Sequence, residues 1–451
     1  MTKSKNLWNH LLSTLWFVPG LLVFAGVLLS FFFIGIDFYI ADRFGYHPKL
    51  FDIQPAGARD LLAVIASSTI TVAVTAFSIT IVALTLASTQ FSPRILRNFM
   101  RDMGNQIVLG ILVGIFAYCI IILRTIRDAA GENDSGYVPS VSVLFGIILG
   151  LITIASLIYF IHHVATSIQA TRIISVIAEE TVYEIEKNFS TEKDTSKIDD
   201  RTAQQLAGNN YLELKADKTG YTQNADAHKL IKLAVKYDLI LSMQKKFGQF
   251  VIKDTPIFRI FPNRRDFVLS ENIVNQINAN YEIDDYRTVE GDAAFGLRQI
   301  VDIALKALSP AVNDTTTGVI CVDYLTAILV CLAKYSSCSS NFFEAGKLRL
   351  IIHQQMFEDF FDLAYDQIRQ NAGGNVTIII KQLNSFDILS ETNLSLASEN
   401  ERRMRHNLME TEAKLLFELA RDSIKTEADL QIISKEYQRI SKLLEERKAE
   451  L

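Results

Sequence analysis

The sequence predicts a mainly α-helical membrane protein, in which four transmembrane helices precede an α+β cytoplasmic domain. Hydrophobic residues make up 49% of the 451 residues, and mean hydropathy is positive at +0.20, which is high for a soluble chain of this length. The apolar excess is concentrated in the first third. The remainder alternates between strand-like and helix-like periods, which predicts a small β-rich module followed by a helical bundle.

Four apolar segments are long enough to cross a bilayer, because about 20 helical residues span a hydrocarbon core of about 30 Å. The predicted spans are residues 13–36, 61–90, 106–124 and 141–164. The basic N-terminus and a basic segment at 91–105 both favour the cytoplasmic side. Both termini are therefore expected in the cytoplasm. The predicted domains are a membrane domain at 1–164, a stalk helix and linker at 165–208, a β-rich module at 209–262 and a helical cytoplasmic domain at 263–451.

The second span, residues 61–90, contains thirty residues without a charge, or about 45 Å of helix at 1.5 Å per residue. It exceeds the bilayer core and is rich in serine and threonine. At helical spacing six hydroxyl side chains and one valine share a face, while isoleucine, valine, leucine and phenylalanine occupy the others. We call this the hydroxyl face; its members are Ser67, Thr71, Thr75, Ser78, Val82, Thr85 and Thr89.

Two interpretations of the hydroxyl face follow from the sequence. In the first, copies of the chain arrange their second spans around a water-filled pore, with Val82 or Phe77 as a hydrophobic gate. Acidic residues at the outer mouth, Asp37, Asp52 and Asp60, then favour cations. In the second, the hydroxyls bond to their own helix or across a packed interface, at about 0.6 kcal/mol each. The predicted partners are the lipid bilayer, further copies of the chain and, in the first interpretation, ions.

Paired glycines in the third and fourth spans predict close helix packing. Gly110 and Gly114 lie four residues apart in the third span, and Gly146 and Gly150 in the fourth. This spacing lets helix backbones approach closely. We expect these two helices to pack on each other or on the second span.

A basic segment follows the second span. Ser92 and Pro93 predict the start of a short helix over 93–103. Its basic residues would contact anionic lipid headgroups or form a charged ring at a pore mouth, and an ordinary positive-inside loop is the alternative. These residues are Arg94, Arg97 and Arg101.

The fourth span ends at the membrane boundary with two adjacent histidines, His162 and His163. Interfacial anchoring and a protonation switch are both compatible with histidine there. The helix is expected to continue to residue 189 as a stalk.

A β-rich module is predicted next. Strand-like alternation occurs at 211–216, 239–245 and 248–260, with a helix at 228–237 and a hairpin turn at Lys253-Asp254. The last stretch resembles one hairpin of the biotinyl/lipoyl-type barrel, and this resemblance implies a small β-sandwich-like module. Such domains carry their cofactor on a lysine in a different turn, with the pattern Met-Lys-Met or Asp-Lys. No lysine occupies that turn here, so we expect no covalent cofactor.

The remaining chain is predicted to be helical, with one strand. Helices are expected at 293–308, at 342–370, at 397–422, at 426–449 and from Asn313 or Asp314 to 334, and a strand at 376–381. The turn near residue 310 gathers polar groups at a helix N-terminus, which favours anions, although Asp314 would also serve as a helix cap. The candidate ligand residues are Arg298, Asp302, Ser309, Asn313, Asp314 and Thr317.

Five stretches together resemble a bacterial family of predicted membrane proteins, domain of unknown function 2254. They are residues 65–69, 87–94, 159–163, 295–304 and 308–314. The resemblance extends over nearly the whole chain and implies a bacterial inner-membrane protein. It implies no established activity and no catalytic residues.

Other function classes lose support from the sequence. The formal charge of −5 gives no reason to expect nucleic-acid binding, and four cysteines without a C-x-x-C pair indicate neither a metal site nor a disulfide framework. Nucleotide-binding and hydrolase motifs are absent, and aspartates such as Asp292 and Asp323 lack a metal-ligand spacing. The sequence thus predicts a non-enzymatic protein without a cofactor, either a channel-like oligomer with a cytoplasmic sensor or a membrane-anchored module that binds a ligand or partner.

Overall fold

A computed structural model describes residues 14, 16–44, 54–128, 137–188, 202, 206, 208, 210–264, 266–335, 341–353, 355–392 and 399–450. The chain divides into two compact units, residues 1–172 and 173–451. Asp52, predicted at an outer mouth, lies outside the described residues, as does almost all of the linker predicted at 190–208.

The first unit is helical. Its helices are α1 (Phe17–Phe44), α2 (Pro55–Gln90), α3 (Leu96–Met100), α4 (Met103–Thr125) and α5 (Ser140–Ser167), and α6 (Ala170–Asn188) begins just before the unit boundary. The predicted stalk is not continuous with the fourth span, because α5 ends at Ser167 and α6 starts at Ala170.

Five of the described helices are long and apolar enough to cross a membrane, one more than the sequence predicted. Four are α1, α2, α4 and α5 of the first unit. The fifth is α10 (Thr315–Ala333) of the second unit. Its buried side chains, among them Cys321, Val322 and Leu325, pack within that unit, where α10 contacts other helices.

Helix α4 is the centre of the first unit, since it packs against α1, α2 and α5. Its glycines contact α1, not the second or fourth span as expected. A Cβ atom at Gly26 of α1 would lie 2.5 Å from the carbonyl oxygen of Gly114, and one at Gly110 would lie 2.6 Å from a methyl of Leu22. The paired glycines therefore let the backbones of α1 and α4 touch.

The fourth span packs against the second, as predicted. A Cβ atom at Gly146 of α5 would lie 2.8 Å from a methyl of Leu62 on α2, and one at Gly150 would lie 3.4 Å from Ile65. The hydroxyls of Thr69 and Thr153 are 3.2 Å apart in the same interface.

The second unit contains two sheets. The larger sheet has five strands, in the spatial order β1 (Leu212–Lys215), β5 (Pro256–Pro262), β3 (Leu239–Met243), β8 (Lys347–Ile352) and β7 (Asn341–Glu344). The smaller sheet has three strands, in the order β4 (Phe250–Val251), β2 (Gly220–Ala225) and β6 (Tyr281–Asp284). All described pairs are antiparallel except β3 with β8, which are parallel, with Leu241 opposite Leu350. Helices α7 (Ala227–Tyr237) and α8 (Glu271–Asn278) accompany the sheets.

The prediction of a hairpin turn at Lys253-Asp254 is wrong. The strands on either side belong to different sheets, β4 pairing with β2 and β5 with β1 and β3. The intervening turn bonds to the end of β1 instead, because Asp254 donates its backbone N–H to the carbonyl of Ala216. The biotinyl/lipoyl-type hairpin is therefore not formed.

Two further elements differ from prediction. The helix expected at 342–370 begins only at Phe357, because residues 341–352 form the β7–β8 hairpin, turning through Ala345 and Gly346 with positive φ, as two-residue hairpin turns require. The strand expected at 376–381 is helical, since its isoleucines begin a helical series of buried residues that ends at Ser390. Tertiary burial here outweighs the strand preference of β-branched side chains.

A helical bundle completes the second unit. Besides α10 it comprises α9 (Ala293–Leu308), α11 (Phe357–Asn371), α12 (Val376–Thr392), α13 (Glu399–Ser423) and α14 (Glu427–Ala449). The two last helices agree closely with the predicted ones. The ion pair predicted between Arg298 and Asp302 is present, with nitrogen and oxygen 3.0 Å apart.

Candidate functional site

The hydroxyl face of α2 points away from the rest of the first unit. Every one of its seven members is exposed. About half a helical turn away lies a buried face made mainly of alanine, which packs against α4 and α5. We call this the alanine face; it consists of Ala58, Leu62, Ala66, Thr69, Ala73, Ala76, Thr80, Ala83 and Ala87.

The hydroxyl groups on the exposed face bond to their own helix. Thr71 donates to the carbonyl of Ser67 at 2.7 Å, and Thr75 donates to that of Thr71 at 2.9 Å. Ser78, Thr85 and Thr89 donate likewise four residues back. Such back-bonding satisfies each O–H and leaves its oxygen free to accept a bond from water or another chain.

Val82, the apolar member of the hydroxyl face, is 58% exposed, and Phe77 on a neighbouring face is 45% exposed. Both predicted gate positions therefore lie on the surface of the unit, where a second copy or lipid would cover them.

One acidic residue predicted at the outer mouth has a different role. Asp37 is buried and accepts hydrogen bonds from the backbone N–H of Val141 at 2.9 Å and from both the N–H and the hydroxyl of Ser142. It caps the first turn of α5 from outside, which satisfies otherwise unpaired N–H groups. Asp60 is exposed, so of the predicted mouth residues that the structure describes it is the one that remains at the surface.

The basic segment forms a 3₁₀ turn at Pro93–Ile95 followed by the five-residue α3. Ser92 caps it as predicted, accepting from the N–H of Arg94 at 3.3 Å. Ile95 is fully buried and Arg94 is exposed, so the segment is anchored by an isoleucine with a cation outside. Arg101 is half-buried, and the side chain of Arg97 lies outside the described residues.

An aspartate–histidine pair joins the start of α4 to the end of α5. His163 Nε2 lies 2.7 Å from Asp102 Oδ2, and Asp102 also accepts from the N–H of Gly104 at 2.9 Å. A Cβ atom at Gly104 would lie 2.5 Å from the His163 ring, so only glycine there allows this approach. The sequence identified His163 as a boundary residue but gave no sign of its partner.

Most polar side chains of the turn after α9 are engaged in local hydrogen bonds. Asp314 caps α10, accepting from the N–H and hydroxyl of Thr317 at 3.0 and 2.6 Å; the Thr317 hydroxyl lowers the pKa of the Asp314 carboxyl. Ser309 Oγ donates to the carbonyl of Lys306, and Asn313 adopts a positive φ of 51°. Arg298 is paired with Asp302 about three helical turns from Ser309, so the structure does not bring it to the turn.

A cavity of about 200 Å³ lies elsewhere in the second unit, among described residues that the sequence did not single out as a site. It opens where the parallel strands β3 and β8 end, beside the first residues of α9. We call it the strand-end pocket. Its apolar walls include Phe247, Phe342, Ile352 and Phe360, and its polar groups are Lys187, Asn188, Asn224, Asp292 and Gln355.

Two buried carboxylates and their cations make up what we call the floor of the strand-end pocket; of the two carboxylates, Asp292 lines the cavity and Glu184 bonds to lining residues. Asp292 caps α9 and accepts from Arg287 Nε at 2.9 Å; burial raises the pKa of this carboxyl although Arg287 opposes the rise. Glu184 of α6 accepts from the N–H of Gly291 at 3.0 Å and from Lys187 Nζ at 3.0 Å. The two ion pairs leave the floor without net charge.

A signal for this pocket was present in the sequence. The stretch Glu290-Gly291-Asp292 precedes a long helix, and Gly291 has a φ of +83°, a conformation that glycine adopts readily. The aromatic walls of the pocket, Phe247, Phe342 and Phe360, come from positions far apart in the sequence. Two of them lie in the segment predicted as a helix at 342–370, so the sequence could not predict the cavity itself.

Among the residues that the structure describes, no group of three or more histidine, cysteine, aspartate or glutamate side chains could hold a metal ion. Cys119, Cys321 and Cys331 are free thiols and buried.

These features define a membrane protein with several apolar helices and a large unit of mixed helices and strands. The chain belongs to the family described as predicted membrane protein, domain of unknown function 2254, whose model matches residues 12–387. This confirms the resemblance noted in the sequence.

Curated relatives are mycobacterial. An uncharacterized protein of Mycobacterium bovis and one of Mycobacterium tuberculosis are each 31% identical to the chain over 328 residues, which cover 71% of this chain and 61% of the relative. The match thus spans about three fifths of the length of these relatives. No solved structure matches the chain.

Proposed function

We propose that the protein is a homo-oligomeric, channel-like protein of the bacterial inner membrane, in which the hydroxyl faces of several copies of α2 line a shared pore. In this proposal α1, α2, α4 and α5 are the four spans, and the termini and the second unit lie in the cytoplasm, where the second unit acts as the sensor. The proposal contains no enzymatic step and no cofactor.

The observation that carries the proposal is the division of α2 into two faces. The buried residues of α2 all lie on the alanine face, which includes two of its threonines, Thr69 and Thr80. The other hydroxyls are therefore not needed for packing one chain, although they continue along the whole outer side of the helix. A face of this kind is suited to water or to a second copy, and four spans are too few to enclose a conduit alone.

Cysteine accessibility tests the proposal in membranes. Ser78→Cys on the hydroxyl face would be compared with Ile81→Cys, an exposed position on the same helix but off that face. Cys338, which lies outside the described residues, would be changed to serine, and the other three cysteines are buried. We expect a charged thiol reagent to modify Ser78→Cys and to reduce single-channel current in planar bilayers, and to leave Ile81→Cys unmodified.

Equal protection of both positions from the reagent, together with flat current traces across stretch, pH and added solutes, would rule out a water-lined face. Cross-linking of Ser78→Cys between copies without current would instead show an oligomer whose hydroxyl faces are packed together.

A second candidate function has its own observation. The strand-end pocket of about 200 Å³ makes the second unit suited to binding a small molecule, with the membrane helices serving to anchor and oligomerise the chain. In that case ligands should raise the thermal unfolding midpoint of the full-length protein, and a broad metabolite panel without any stabilisation would exclude it.

A further inference from the structure

The strand-end pocket lies where ligands are usually found in sheets with parallel strands. Phe247 belongs to the loop that follows β3, and Ile352 and Gln355 end β8 and begin the loop that follows it. The strands run parallel, so both loops leave the sheet at the same edge. Loops at the carboxyl ends of parallel strands diverge and open a crevice, which is the general position of binding sites in such sheets.

The walls of the pocket are aromatic. Phe247 is half-buried in the loop after β3, Phe342 is half-buried on β7, and Phe360 is 2% exposed in the first turn of α11. Phenyl faces pack well against flat rings in offset or edge-to-face geometry, with about 0.5–1.5 kcal/mol beyond area burial per pair. Three phenylalanines around one cavity therefore favour a planar ligand.

Two carboxamides at the pocket are available to a ligand. Asn224 is exposed and Gln355 is half-buried, and within the described part of the chain neither side chain makes a hydrogen bond. A carboxamide presents a donor and an acceptor side by side. It therefore complements a ligand edge that carries an acceptor next to a donor.

The charged groups at the pocket floor are already neutralised. Asp292 bonds to Arg287, and Glu184 bonds to Lys187 and to the N–H of Gly291. The four charges sum to zero, so a ligand that carries net charge deep in the pocket would lose hydration without a free counter-charge. The volume of about 200 Å³ is also below the roughly 300–1,000 Å³ of drug-sized sites, and it suits a single small ring system.

We propose that the strand-end pocket binds a nucleobase, as a free base or as the base of a nucleoside or nucleotide. The ring stacks among Phe247, Phe342 and Phe360, and its hydrogen-bonding edge meets the carboxamides of Asn224 and Gln355. This inference deepens the second candidate function and rests on it; it is independent of the pore.

The test is equilibrium dialysis and thermal unfolding of the full-length protein in lipid nanodiscs. The probes are adenosine, guanosine, cytidine, uridine and adenosine monophosphate, with ribose 5-phosphate as a probe that lacks the base and a panel of amino acids and sugar phosphates. We expect saturable binding of at least one base-containing probe and none of ribose 5-phosphate.

Variants locate the binding. Asn224→Ala and Gln355→Ala should each lower the affinity for that probe about tenfold, as loss of one ligand hydrogen bond does. Ala227→Leu, at the pocket wall, should abolish binding because the larger side chain fills the space. Asn272→Ala, an exposed asparagine of α8 outside the pocket, is the matched control and should bind like the parent. The unfolding midpoints without ligand verify that each variant is folded.

The outcomes separate the two claims. If no base-containing probe binds but another class stabilises the protein and Ala227→Leu removes that effect, the nucleobase assignment is wrong and the ligand-binding function stands. If nothing in the full panel binds, both are wrong. Binding that survives Asn224→Ala, Gln355→Ala and Ala227→Leu also overturns the proposed site.

Discussion

The hydroxyl face of α2 in the first unit and the buried charges of the second unit use polar side chains in opposite ways. The hydroxyls of that face bond to their own helix and face outward, while close packing at glycines brings α1 against α4. In the second unit buried carboxylates form ion pairs, within one loop as Asp292 does with Arg287, or between two helices as Glu412 does with Arg369. The difference shows where each unit is vulnerable: the first to added volume, the second to lost charge partners.

The largest expected effect comes from Asp292→Ala in the second unit. This change removes the cap of α9 and leaves Arg287 without its buried partner. Breaking a buried pair costs about 3–5 kcal/mol, so the unfolding midpoint measured by circular dichroism should fall steeply.

The matched control for Asp292→Ala is Asp314→Ala, which removes an exposed cap of α10 without a buried ion pair. It should cost only about 1 kcal/mol. Equal losses from the two variants would show that capping, not the buried pair, is what Asp292 contributes.

A second effect of the buried charges is a dependence on pH. Burial raises the pKa of Glu412 from 4.5 to about 7, and the neighbouring Asp366 adds to the rise although Arg369, 2.7 Å away, opposes it. Between pH 4.5 and 7 the folded state then binds more protons than the unfolded state. This group's contribution is fully present below pH 4.5 and is lost as the pH rises to 7, by about 3 kcal/mol at most.

The variant Glu412→Gln isolates this contribution. Buried His406 has a lowered pKa and gives the opposite slope, losing stability as the pH falls below about 6.5, so the difference between Glu412→Gln and the parent is the informative quantity. Relative to the parent, Glu412→Gln should gain stability as the pH is raised from 5 to 8 in denaturant titrations. A difference that does not change with pH would contradict the raised pKa.

In the first unit the comparison predicts sensitivity to a single methyl group. Gly26→Ala would place a Cβ atom 2.5 Å from the backbone of α4, and overpacking of this kind costs about 1–3 kcal/mol. Gly35→Ala in the same helix has open space and gains helix propensity of up to about 1 kcal/mol. The thermal unfolding midpoint in detergent should therefore fall for Gly26→Ala and rise for Gly35→Ala. Shifts of the midpoint in the same direction would show that α1 and α4 are not in contact.

The sequence predicted those features that depend on local pattern. The length of the apolar segments located the four apolar helices of the first unit, α1, α2, α4 and α5. Capping residues located the start of α10 at Asp314 and the 3₁₀ turn at Ser92. Features that depend on tertiary context were missed. The isoleucines of 376–381 favour a strand locally but are buried along a helix, and the β7–β8 hairpin turns at an alanine with positive φ, which no turn pattern marks.

The candidate sites followed the same rule. The hydroxyl face was visible because helical spacing alone defines it, but its exposure depends on which side α4 and α5 cover. The strand-end pocket needs β3 and β8 to be neighbours, and residues 239–243 and 347–352 are far apart in the chain. Likewise Asp37 looked like a mouth residue, because nothing near it in sequence shows that it caps α5.

The smallest expected effect distinguishes the two faces of α2. Thr69→Val removes the contact with Thr153 on the alanine face and should cost about 0.6 kcal/mol, whereas Thr75→Val on the hydroxyl face removes only a bond to its own helix and should leave unfolding of a detergent-solubilised monomer unchanged. In a bilayer the order should reverse: Thr75→Val should alter oligomer dissociation or ion current, and Thr69→Val should not. If Thr75→Val destabilised the monomer as much as Thr69→Val, the hydroxyl face would already be engaged within one chain and would not be available to line a shared pore.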